Sequence, residues 1–397
     1  METVMILGAG PLQLPAIRKT KELGLKVVVC DYDPNAVGFS YADEPCLIST
    51  IDQEAVLEKA KIIKPDYVIT STSDAPVRTA AYVSEKLGLP SDLSYENAIC
   101  ATVKSAMRDR LKKHQIPIPQ YFSCGNFSEF VNAVRVFDDV CIIKPSDSAA
   151  SRGVMQIKSK SEDSQLREYY HQCVANSRNH VVMVEEFMTG PEVSVESFIE
   201  NGKVTIIAIT DKLVTPLPYF VELGHSEQSN LPLDIKERIE LVTKQAIKAI
   251  GIVNGVSHTE LKVTSDGVKI VEIAARLGGD YITSRLVPLS TGVDMVGNSI
   301  LLALHKQIDI EKKFDRGGAI RFICAQEGMI KKIYIPEEAY RERGVEEIKL
   351  YSHEGAQVHA LKSSNDRIGH IITTGKDSRE AVFIAEKILK NIRITIR

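Results

Sequence analysis

Residues 258–280 read HTELKVTSDGVKIVEIAARLGGD, in which two strand patterns flank a turn signal. Ser265-Asp266-Gly267 predicts a three-residue hairpin loop, because glycine readily adopts the left-handed backbone that such a loop requires. With that loop, Thr264 pairs with Val268 and the two strands run back from the turn in antiparallel register. The segment therefore predicts a β-hairpin.

The predicted register places Glu260 opposite Glu272, on one face of the hairpin. Facing carboxylates about 5 Å apart between their Cβ atoms repel each other unless positive charge lies between them. Mg²⁺, which proteins hold through one or two carboxylates plus phosphate oxygens, supplies such a charge. The alternative is a register shifted by one residue, with both acids solvated, and the hairpin alone does not separate the two interpretations.

A second chemical signal lies where the strand pattern VCIIK ends on Lys144. The small-residue loop SDSAASRG, residues 146–153, joins this strand to the next one. A lysine that points under such a loop can hold phosphates as a point charge, with the backbone N–H groups of the loop as a lid. The alternative interpretation is a flexible hairpin tip.

Two further acids stand at the ends of strand patterns. Glu185 closes the pattern VVMVEE, and Glu192 follows the turn signal Gly190-Pro191. A crossover of this kind can present backbone groups and two acids to a polar ring and a ribose. Solvated surface acids are the alternative.

The chain opens with MILGAGPLQLPAIRKTKELGLKVVVCDYD, residues 5–33, which begins like a dinucleotide-binding unit. That fingerprint has a small residue three positions after its second glycine, where this chain has Gln13. An acid about 20 residues further on, here Asp31 or Asp33, is also part of the fingerprint but is common in α/β domains. Two interpretations stay open: an NAD-dependent dehydrogenase, or a parallel α/β unit whose glycines serve the turn.

Strand and helix patterns alternate up to about residue 97, which predicts a parallel sheet. Between Val140 and Ile273 the strand patterns are joined by turn signals, which indicates an antiparallel α+β region with a helix at 234–250. A third pattern begins near Gly317 and closes with a helix that starts at 377 or 378. The other predicted helices cover 16–23, 53–63, 79–87 and 105–115.

The chain has 397 residues, 44% hydrophobic and 25% charged, which is typical of a soluble protein of two or three domains. A net charge of -3 gives no indication of a nucleic-acid surface, and no apolar run is long enough for a membrane helix. The seven cysteines contain no C-x-x-C pair, so they predict reduced core residues. We therefore expect a cytoplasmic protein that binds neither nucleic acid nor membrane.

In this order and spacing, these segments resemble the ATP-grasp superfamily over nearly the whole chain. The stretch TDKLVTPLPYFVELGHSEQSNLP at 210–232, together with HTELKV and VEIAARLGGD, is most similar to the L-amino-acid ligase branch. RIGHIITTG followed by SREAVFIAEKIL is similar to the closing segment of the ATP-grasp superfamily. The resemblance implies an α/β and α+β fold: a Rossmann-like preliminary domain (1–97), a two-lobed ATP-grasp domain (98–310) and a C-terminal α+β segment (311–397).

The resemblance also implies roles for individual residues. ATP would be bound by Lys104, Lys144, Ser148, Ser151, Gly153, Glu185, Met188 and Glu192. Mg²⁺, with Mn²⁺ as an alternative, would be held by Glu260 and Glu272. Arg276 would neutralise charge on the transferring phosphoryl group. Substrate contacts would come from Glu222, His225, His258, Gly279 and Asp280. Many relatives have asparagine where this chain has Ala274, which leaves the number of metal contacts open.

The activity implied is an ADP-forming carboxylate–amine ligase that works through an acyl phosphate and joins an amino acid to an amine or to a second amino acid. Its partners would be small-molecule carboxylate and amine substrates, and a homodimer is an allowed assembly. Two alternatives stay open. One is a purine-pathway or carbamoyl-phosphate type of ATP-grasp ligase, and the other is a nucleotide-binding regulatory protein without catalysis.

Overall fold

The computed structural model describes residues 1–91, 93–148, 151–216 and 219–397. Its first layer is a parallel sheet in the order β3-β2-β1-β4. The strands are β1 (Thr3–Leu7), β2 (Lys26–Asp31), β3 (Glu44–Leu47) and β4 (Tyr67–Thr70), and the helices are α1 (Leu14–Glu22), α2 (Gln53–Ile63) and α3 (Ala75–Leu87). The predicted parallel, Rossmann-like start of the chain is confirmed.

Two helices of this layer begin earlier than predicted. Helix α1 begins at Leu14 and α3 begins at Ala75, two and four residues before the predicted starts. Pro15 and Pro76 lie in their first turns. Proline fits there because the N–H that it lacks has no partner in the first turn of a helix.

A small antiparallel sheet follows, in the order β5-β8-β6-β7. Its strands are β5 (Tyr121–Cys124), β6 (Val140–Pro145), β7 (Met155–Lys158) and β8 (Val182–Glu186), and the helices packed on it are α6 (Phe127–Val134) and α7 (Asp163–Val174). Helices α4 (Tyr95–Cys100) and α5 (Lys104–Lys113) precede this sheet in the chain. Residues of α6 and α7 pack on this sheet in one apolar core, with Phe130 and Leu166 fully buried.

The largest sheet has eight strands in the order β13-β12-β9-β10-β11-β14-β18-β16. The strands are β9 (Glu192–Glu200), β10 (Lys203–Val214), β11 (Glu222–Glu227), β12 (Gly255–Thr264), β13 (Gly267–Ala274), β14 (Gly317–Ile323), β16 (Val345–Leu350) and β18 (Gly369–Gly375). The last three belong to the C-terminal segment, so this segment extends the central sheet.

The remaining elements cover the large sheet or lie beside it. They are α8 (Leu233–Ile250), α9 (Val287–Thr291), α10 (Met295–Ala303), α11 (Ser378–Asn391), and a three-stranded sheet of β15 (Gly328–Tyr334), β17 (Gln357–Val358) and β19 (Arg393–Ile396). Asp377 caps α11 by accepting a hydrogen bond from the Glu380 backbone N–H, as the predicted helix start requires.

The preliminary domain packs directly on the large sheet. Ile6 and Ile17 share one apolar core with Ile300 of α10 and Phe322 of β14. On the other side, residues of α5 and α8 form a second core with β9, β12 and β13. The candidate site lies where these layers meet.

No single helix in the described part of the chain is long and apolar enough to cross a membrane. The segments 282–291 and 295–303 pass a test of length and composition only as a pair, and they are bent by 113° at the break between them.

Glu227, at the end of β11, is a completely buried acid. Its two carboxylate oxygens accept hydrogen bonds from Thr210 Oγ1 at 2.7 Å and Ser290 Oγ at 2.9 Å. Burial raises the pKa of Glu227 to about 8, although both hydroxyls work in the opposite direction. The carboxyl group is therefore protonated in the folded protein at neutral pH.

We expect Glu227→Gln to remove a pH-dependent loss of stability. Because the folded pKa lies above the ordinary value of 4.5, the free energy of unfolding falls as pH rises from about 4.5 to about 8. Glutamine keeps a hydrogen-bond partner for the hydroxyls of Thr210 and Ser290 but cannot ionise. The free energy of unfolding of the variant should therefore not show this fall, which is on the order of a few kcal/mol in the wild type. Urea unfolding at about pH 5 and pH 9 measures this, with exposed Glu338→Gln as control. Equal pH slopes in wild type and Glu227→Gln would contradict the expectation.

Candidate functional site

The hairpin of β12 and β13 brings Glu260 and Glu272 together. Thr264 pairs with Gly267, so the turn has one residue fewer than predicted, and Gly267 has the left-handed φ of 115°. Further along β13 a bulge at Val271 adds one residue and shifts the register back, which leaves Glu260 opposite Glu272. The predicted turn was wrong, but the predicted facing of the two acids is confirmed because the two shifts cancel.

Each of the facing carboxylates contacts a lysine. Lys104 Nζ lies 2.8 Å from Glu272 Oε1, and Lys212 Nζ lies 2.9 Å from Glu260 Oε1. Burial would raise the pKa of Glu260, but Lys212 and His258 outweigh it and hold the pKa well below its usual range. Glu260 is therefore ionised and able to bind a cation.

The donor set around the hairpin decides which kind of metal fits. Within the described ranges, no group of three or more His, Cys, Asp or Glu side chains is arranged to hold a metal ion. Ala274, which lies opposite His258, is buried and adds no ligand. Two facing carboxylates fit Mg²⁺ that completes its coordination with phosphate oxygens, and they do not fit a closed structural metal site.

Lys212 is a buried cation that the sequence analysis missed. Its Nζ lies 2.8 Å from Glu192, 2.9 Å from Glu260 and 3.9 Å from Glu222. Burial lowers the pKa of Lys212, but these three carboxylates raise it well above the usual value. The signal in the sequence was a lysine inside the strand pattern TDKLV, and nothing local shows that three acids surround it.

A second buried charge cluster surrounds Glu185. Arg108 donates to both carboxylate oxygens at 2.9 and 3.0 Å, and Lys144 Nζ lies 2.7 Å away. Burial raises the pKa of Glu185, but the two cations lower it to about 2. A carboxylate offers about four acceptor positions, so one remains for a further donor. The predicted contact of Glu185 with an adenine amino group stays a prediction.

Arg108 also connects this cluster to the hairpin. It is fully buried and donates to the backbone carbonyl of Val271, the bulge residue, at 2.8 Å. The sequence analysis missed Arg108, because in α5 it is one of several basic residues and its burial comes from distant segments. Arg108 therefore fixes the end of β8, where Glu185 lies, relative to the bulge in β13.

The candidate nucleotide residues surround a cavity of about 140 Å³ between the small and the large sheet. The cavity is lined by seven of the eight ATP-binding candidates: Lys104, Lys144, Ser148, Ser151, Glu185, Met188 and Glu192. Both metal candidates line it as well. Apolar side chains such as Ile142 and Phe220 complete the lining, which suits a flat ring with a charged tail.

Gly153 is the candidate outside that lining. Its φ is 75°, and a Cβ there would lie 2.9 Å from Pro145 Cγ, so a glycine fits this turn best. Gly153 therefore shapes the base of the predicted phosphate lid. The middle of that lid, residues 149–150, lies outside the described residues.

A larger cavity, of about 750 Å³, opens between the preliminary domain and the large sheet. It contains all five substrate candidates: Glu222, His225, His258, Gly279 and Asp280. Arg276 and both metal candidates line it too. The candidate nucleotide cavity and the larger cavity therefore share Glu260 and Glu272 in their walls.

Arg276 is held by an acid of the preliminary domain. Its Nε donates to Asp74 Oδ1 at 2.7 Å and its NH2 donates to Asp74 Oδ2 at 3.2 Å. Burial raises the pKa of Asp74, but Arg276 lowers it below the usual value. The sequence analysis missed Asp74, which lies 202 residues from its partner. The pair fixes the guanidinium in the wall of the larger cavity.

His258 is charged in the folded protein. Burial lowers its pKa, but Glu196, whose Oε1 lies 2.5 Å from Nδ1, raises it to about 9. Its Nε2 lies 3.4 Å from Glu260 Oε1. His258 therefore acts here as a buried cation beside Glu260, and its predicted substrate contact stays a prediction.

The C-terminal segment contributes side chains to the larger cavity. Arg367 donates to both oxygens of Asp280 at 2.7 and 2.8 Å, and its guanidinium lies 3.6 Å above the ring of Phe322. Ser364 Oγ donates to Glu222 Oε2 at 2.7 Å. His225 Nε2 lies 3.3 Å from Asp280. Two of the predicted substrate residues are thus positioned by side chains that the sequence analysis did not single out.

Comparison with known proteins finds two matching families. Residues 137–284 match the ATP-grasp domain family, and residues 321–397 match L-amino acid ligase C-terminal domain 2. The L-arginine-specific L-amino acid ligase of Bacillus subtilis is 22% identical over 319 residues, which cover 80% of this chain and 76% of the relative.

Two solved structures share the fold. The L-amino acid ligase of Bacillus licheniformis superposes with a TM-score of 0.84 at 20% identity, over 100% of this chain and 99% of the other. The phosphoribosylglycinamide synthetase of Anaerococcus prevotii gives 0.78 at 22% identity, over 100% of both chains.

Proposed function

Because this chain belongs to the ATP-grasp superfamily and carries the C-terminal domain of the L-amino acid ligases, we propose that it is an ATP-dependent, ADP-forming ligase that joins an amino acid to an amine. The observation that carries the proposal is the pair of facing acids, Glu260 and Glu272, in the wall that two cavities share. Lys104 and Lys144 line one of these cavities, and Arg276 lines the other. One cavity suits the nucleotide, and the other suits a carboxylate and an amine.

In the first step, a carboxylate oxygen of the substrate attacks the γ-phosphorus of ATP in line, and the bond to the bridging oxygen of ADP breaks. Lys104 and Lys144 line the nucleotide cavity, where they can offset phosphate charge. Arg276 faces the larger cavity and can offset charge on the transferring group. Mg²⁺ held by Glu260 and Glu272 would supply further charge neutralisation at the phosphate oxygens.

In the second step, the nitrogen of the amine attacks the acyl carbon, and inorganic phosphate leaves. The acyl phosphate must be kept from water until then, because water would hydrolyse it. The loop at 146–153 begins beside Lys144, so it is placed to cover the phosphates. We propose that this loop excludes water during the reaction.

Hydroxylamine tests the reaction class, because it intercepts an acyl phosphate as a hydroxamate. With ATP, Mg²⁺ and a panel of free L-amino acids, we expect ADP and a hydroxamate with at least one acid. AMP and pyrophosphate as products would contradict the ADP-forming mechanism. Binding of ATP without turnover of any acid would instead support the regulatory, non-catalytic alternative.

A purine-type ligase is the second candidate, since the phosphoribosylglycinamide synthetase of Anaerococcus prevotii shares the fold. It would activate glycine and use a phosphorylated sugar amine. The match of 321–397 to the L-amino acid ligase C-terminal domain favours the first candidate. Dipeptide formation from two free amino acids would separate the two.

The cytoplasm is the compartment that we propose for this reaction. All seven cysteines are unpaired thiols, and six of them are buried, which suits a reducing compartment. A homodimer remains a proposal for the assembly.

We expect His225→Ala to impair use of the amino acid while leaving ATP binding intact. His225 lines the larger cavity, where its Nε2 lies 3.3 Å from Asp280, so the ring helps to hold this second substrate candidate in place. Loss of one such contact should raise KM for the amino acid by about tenfold. Steady-state kinetics against each substrate, with exposed His359→Ala as control, measures this. An equal rise in KM for ATP would contradict the assignment.

A further inference from the structure

The preliminary domain contributes one wall to the larger cavity, formed by Gln13, Thr72, Ser73 and Arg78 and called here the preliminary-domain wall. Gln13 is almost fully buried, and its Nε2 donates to Thr72 Oγ1 at 2.7 Å and to Ser73 Oγ at 3.0 Å. A hydroxyl that accepts from an amide keeps its own proton to donate. In the described part of the chain neither proton has an acceptor, so both hydroxyls can donate into the cavity.

Arg78 adds an uncompensated positive charge to this wall. Its natural partner on α3 is Asp74, four residues earlier on the same helix face, but both oxygens of Asp74 are bound to Arg276. Among the described residues, no ion pair or hydrogen bond of the Arg78 side chain is found, and its Nε is shielded from solvent without a partner. The half-buried guanidinium therefore has donors available for a ligand.

The glycines that open the chain fit this wall better than they fit a dinucleotide. A Cβ at Gly10 would lie 2.9 Å from Gln13 Oε1, and a Cβ at Gly8 would lie 3.0 Å from Gln13 Cγ. Both glycines thus make room for the glutamine side chain. Gln13 stands where the dinucleotide fingerprint has a small residue, and here it orients two hydroxyls toward the cavity.

The nearby acids do not cancel the charge of Arg78. Asp31 and Asp33 also line the cavity, but among the described residues neither lies within ion-pair distance of the Arg78 guanidinium. Asp74 is neutralised by Arg276. A guanidinium with two hydroxyl donors is a set of groups that binds an oxyanion, with arginine contributing a fork of donors.

We propose that the preliminary-domain wall binds an anionic group of the amine substrate, a carboxylate or a phosphate, and so restricts the second substrate to anionic amines. The inference rests on the proposed ligase function for the identity of this substrate. Arg78 and the two hydroxyls hold the anion, and Gln13 acts as a positioning residue through those hydroxyls.

Two matched pairs of amines test the proposal: L-alanine against L-alaninamide, and O-phosphoethanolamine against ethanolamine. The concentrations of ATP and of the amino acid that is activated are held constant. Under these conditions we expect at least one anionic amine to have a kcat/KM about tenfold or more above that of its neutral partner. The first pair tests whether a carboxylate on the amine is recognised, and the second pair tests whether a phosphate is recognised. Equal use of both members in both pairs would overturn the proposal while leaving the ligase function standing.

Variants of the wall provide the second arm. Arg78→Gln and Gln13→Glu should each abolish the preference for the anionic amine. The first variant removes the positive charge. In the second, the carboxylate can only accept hydrogen bonds, so the protons of Thr72 and Ser73 turn toward residue 13 and away from the cavity. Arg78→Lys should restore part of it, and the exposed Arg343→Gln is the matched charge control. A preference that persists in Arg78→Gln, or that falls equally in Arg343→Gln, would overturn the proposal.

Binding of inorganic phosphate gives a readout that needs no catalysis. With the nucleotide cavity filled by a non-hydrolysable ATP analogue, whose γ-phosphate occupies the transfer position, calorimetric titration should show phosphate binding about tenfold weaker or more in Arg78→Gln than in wild type. This result would support the anion site even if no acid were activated, so failure of the ligase proposal and failure of the inference are distinguishable. Unchanged phosphate binding in Arg78→Gln would contradict the site.

Discussion

Replacing Arg276 by alanine is expected to lower the rate of ADP formation about 100-fold or more, because the guanidinium acts on charge that develops during phosphoryl transfer. The structure fixes this group with two hydrogen bonds to Asp74, so it needs little rearrangement when the charge appears. ADP release and hydroxamate formation measure the effect. The exposed Arg343→Ala is the control for loss of a positive charge.

Loss of Arg276 also leaves the partly buried Asp74 without its ionic partner, which should lower the stability of the ligand-free protein. The double variant Arg276→Ala with Asp74→Ala removes both charges and should recover much of that stability. We expect activity to remain low in the double variant, since the catalytic charge is still missing. Near wild-type ADP formation in a folded variant without Arg276 would exclude its role in phosphoryl transfer.

Replacing Glu272 by glutamine should remove nearly all turnover. The metal would lose one of its two carboxylates, and a bound cation contributes several kcal/mol at the transferring phosphate, which corresponds to roughly 100-fold or more in rate. The same change removes the ionic partner of Lys104, which lies 2.8 Å away and is buried, so the ligand-free protein should become slightly less stable. ADP release across a range of Mg²⁺ concentrations measures the effect on catalysis.

Two controls make the Glu272 result specific. Glu338→Gln, at an exposed position of the C-terminal segment, should behave like wild type at every Mg²⁺ concentration. Glu260→Gln should resemble Glu272→Gln, because both acids face the same cavities. Full activity of Glu272→Gln at ordinary Mg²⁺ concentrations would rule out Glu272 as a metal ligand.

Local patterns in the sequence predicted the elements of this fold and most groups of the site. Alternating residues and a glycine turn were enough to bring Glu260 and Glu272 together, although the turn was one residue tighter and the Val271 bulge compensated for it. A bulge leaves no mark on the hydrophobic pattern of a strand. The facing of the acids was therefore predicted, but the backbone that achieves it was not.

The partners of the site residues could not be predicted in the same way. Asp74 pairs with Arg276 across 202 residues, and Arg367 pairs with Asp280 across 87. Such pairs form only when separate layers pack, so nothing in the neighbouring sequence distinguishes these residues from solvated charges. The sequence showed which groups could do chemistry, but it did not show how their charges are balanced.

The position of β14 has a consequence for how the protein is made. Strand β11 ends at Glu227, and its outer neighbour β14 is complete only at Ile323, roughly 100 residues later. At about 5–20 residues per second, the ribosome leaves the edge of β11 unpaired for several seconds. Unpaired strand edges are sites where chains associate wrongly. The nascent chain therefore exposes the unpaired edge of β11 until β14 has been synthesised.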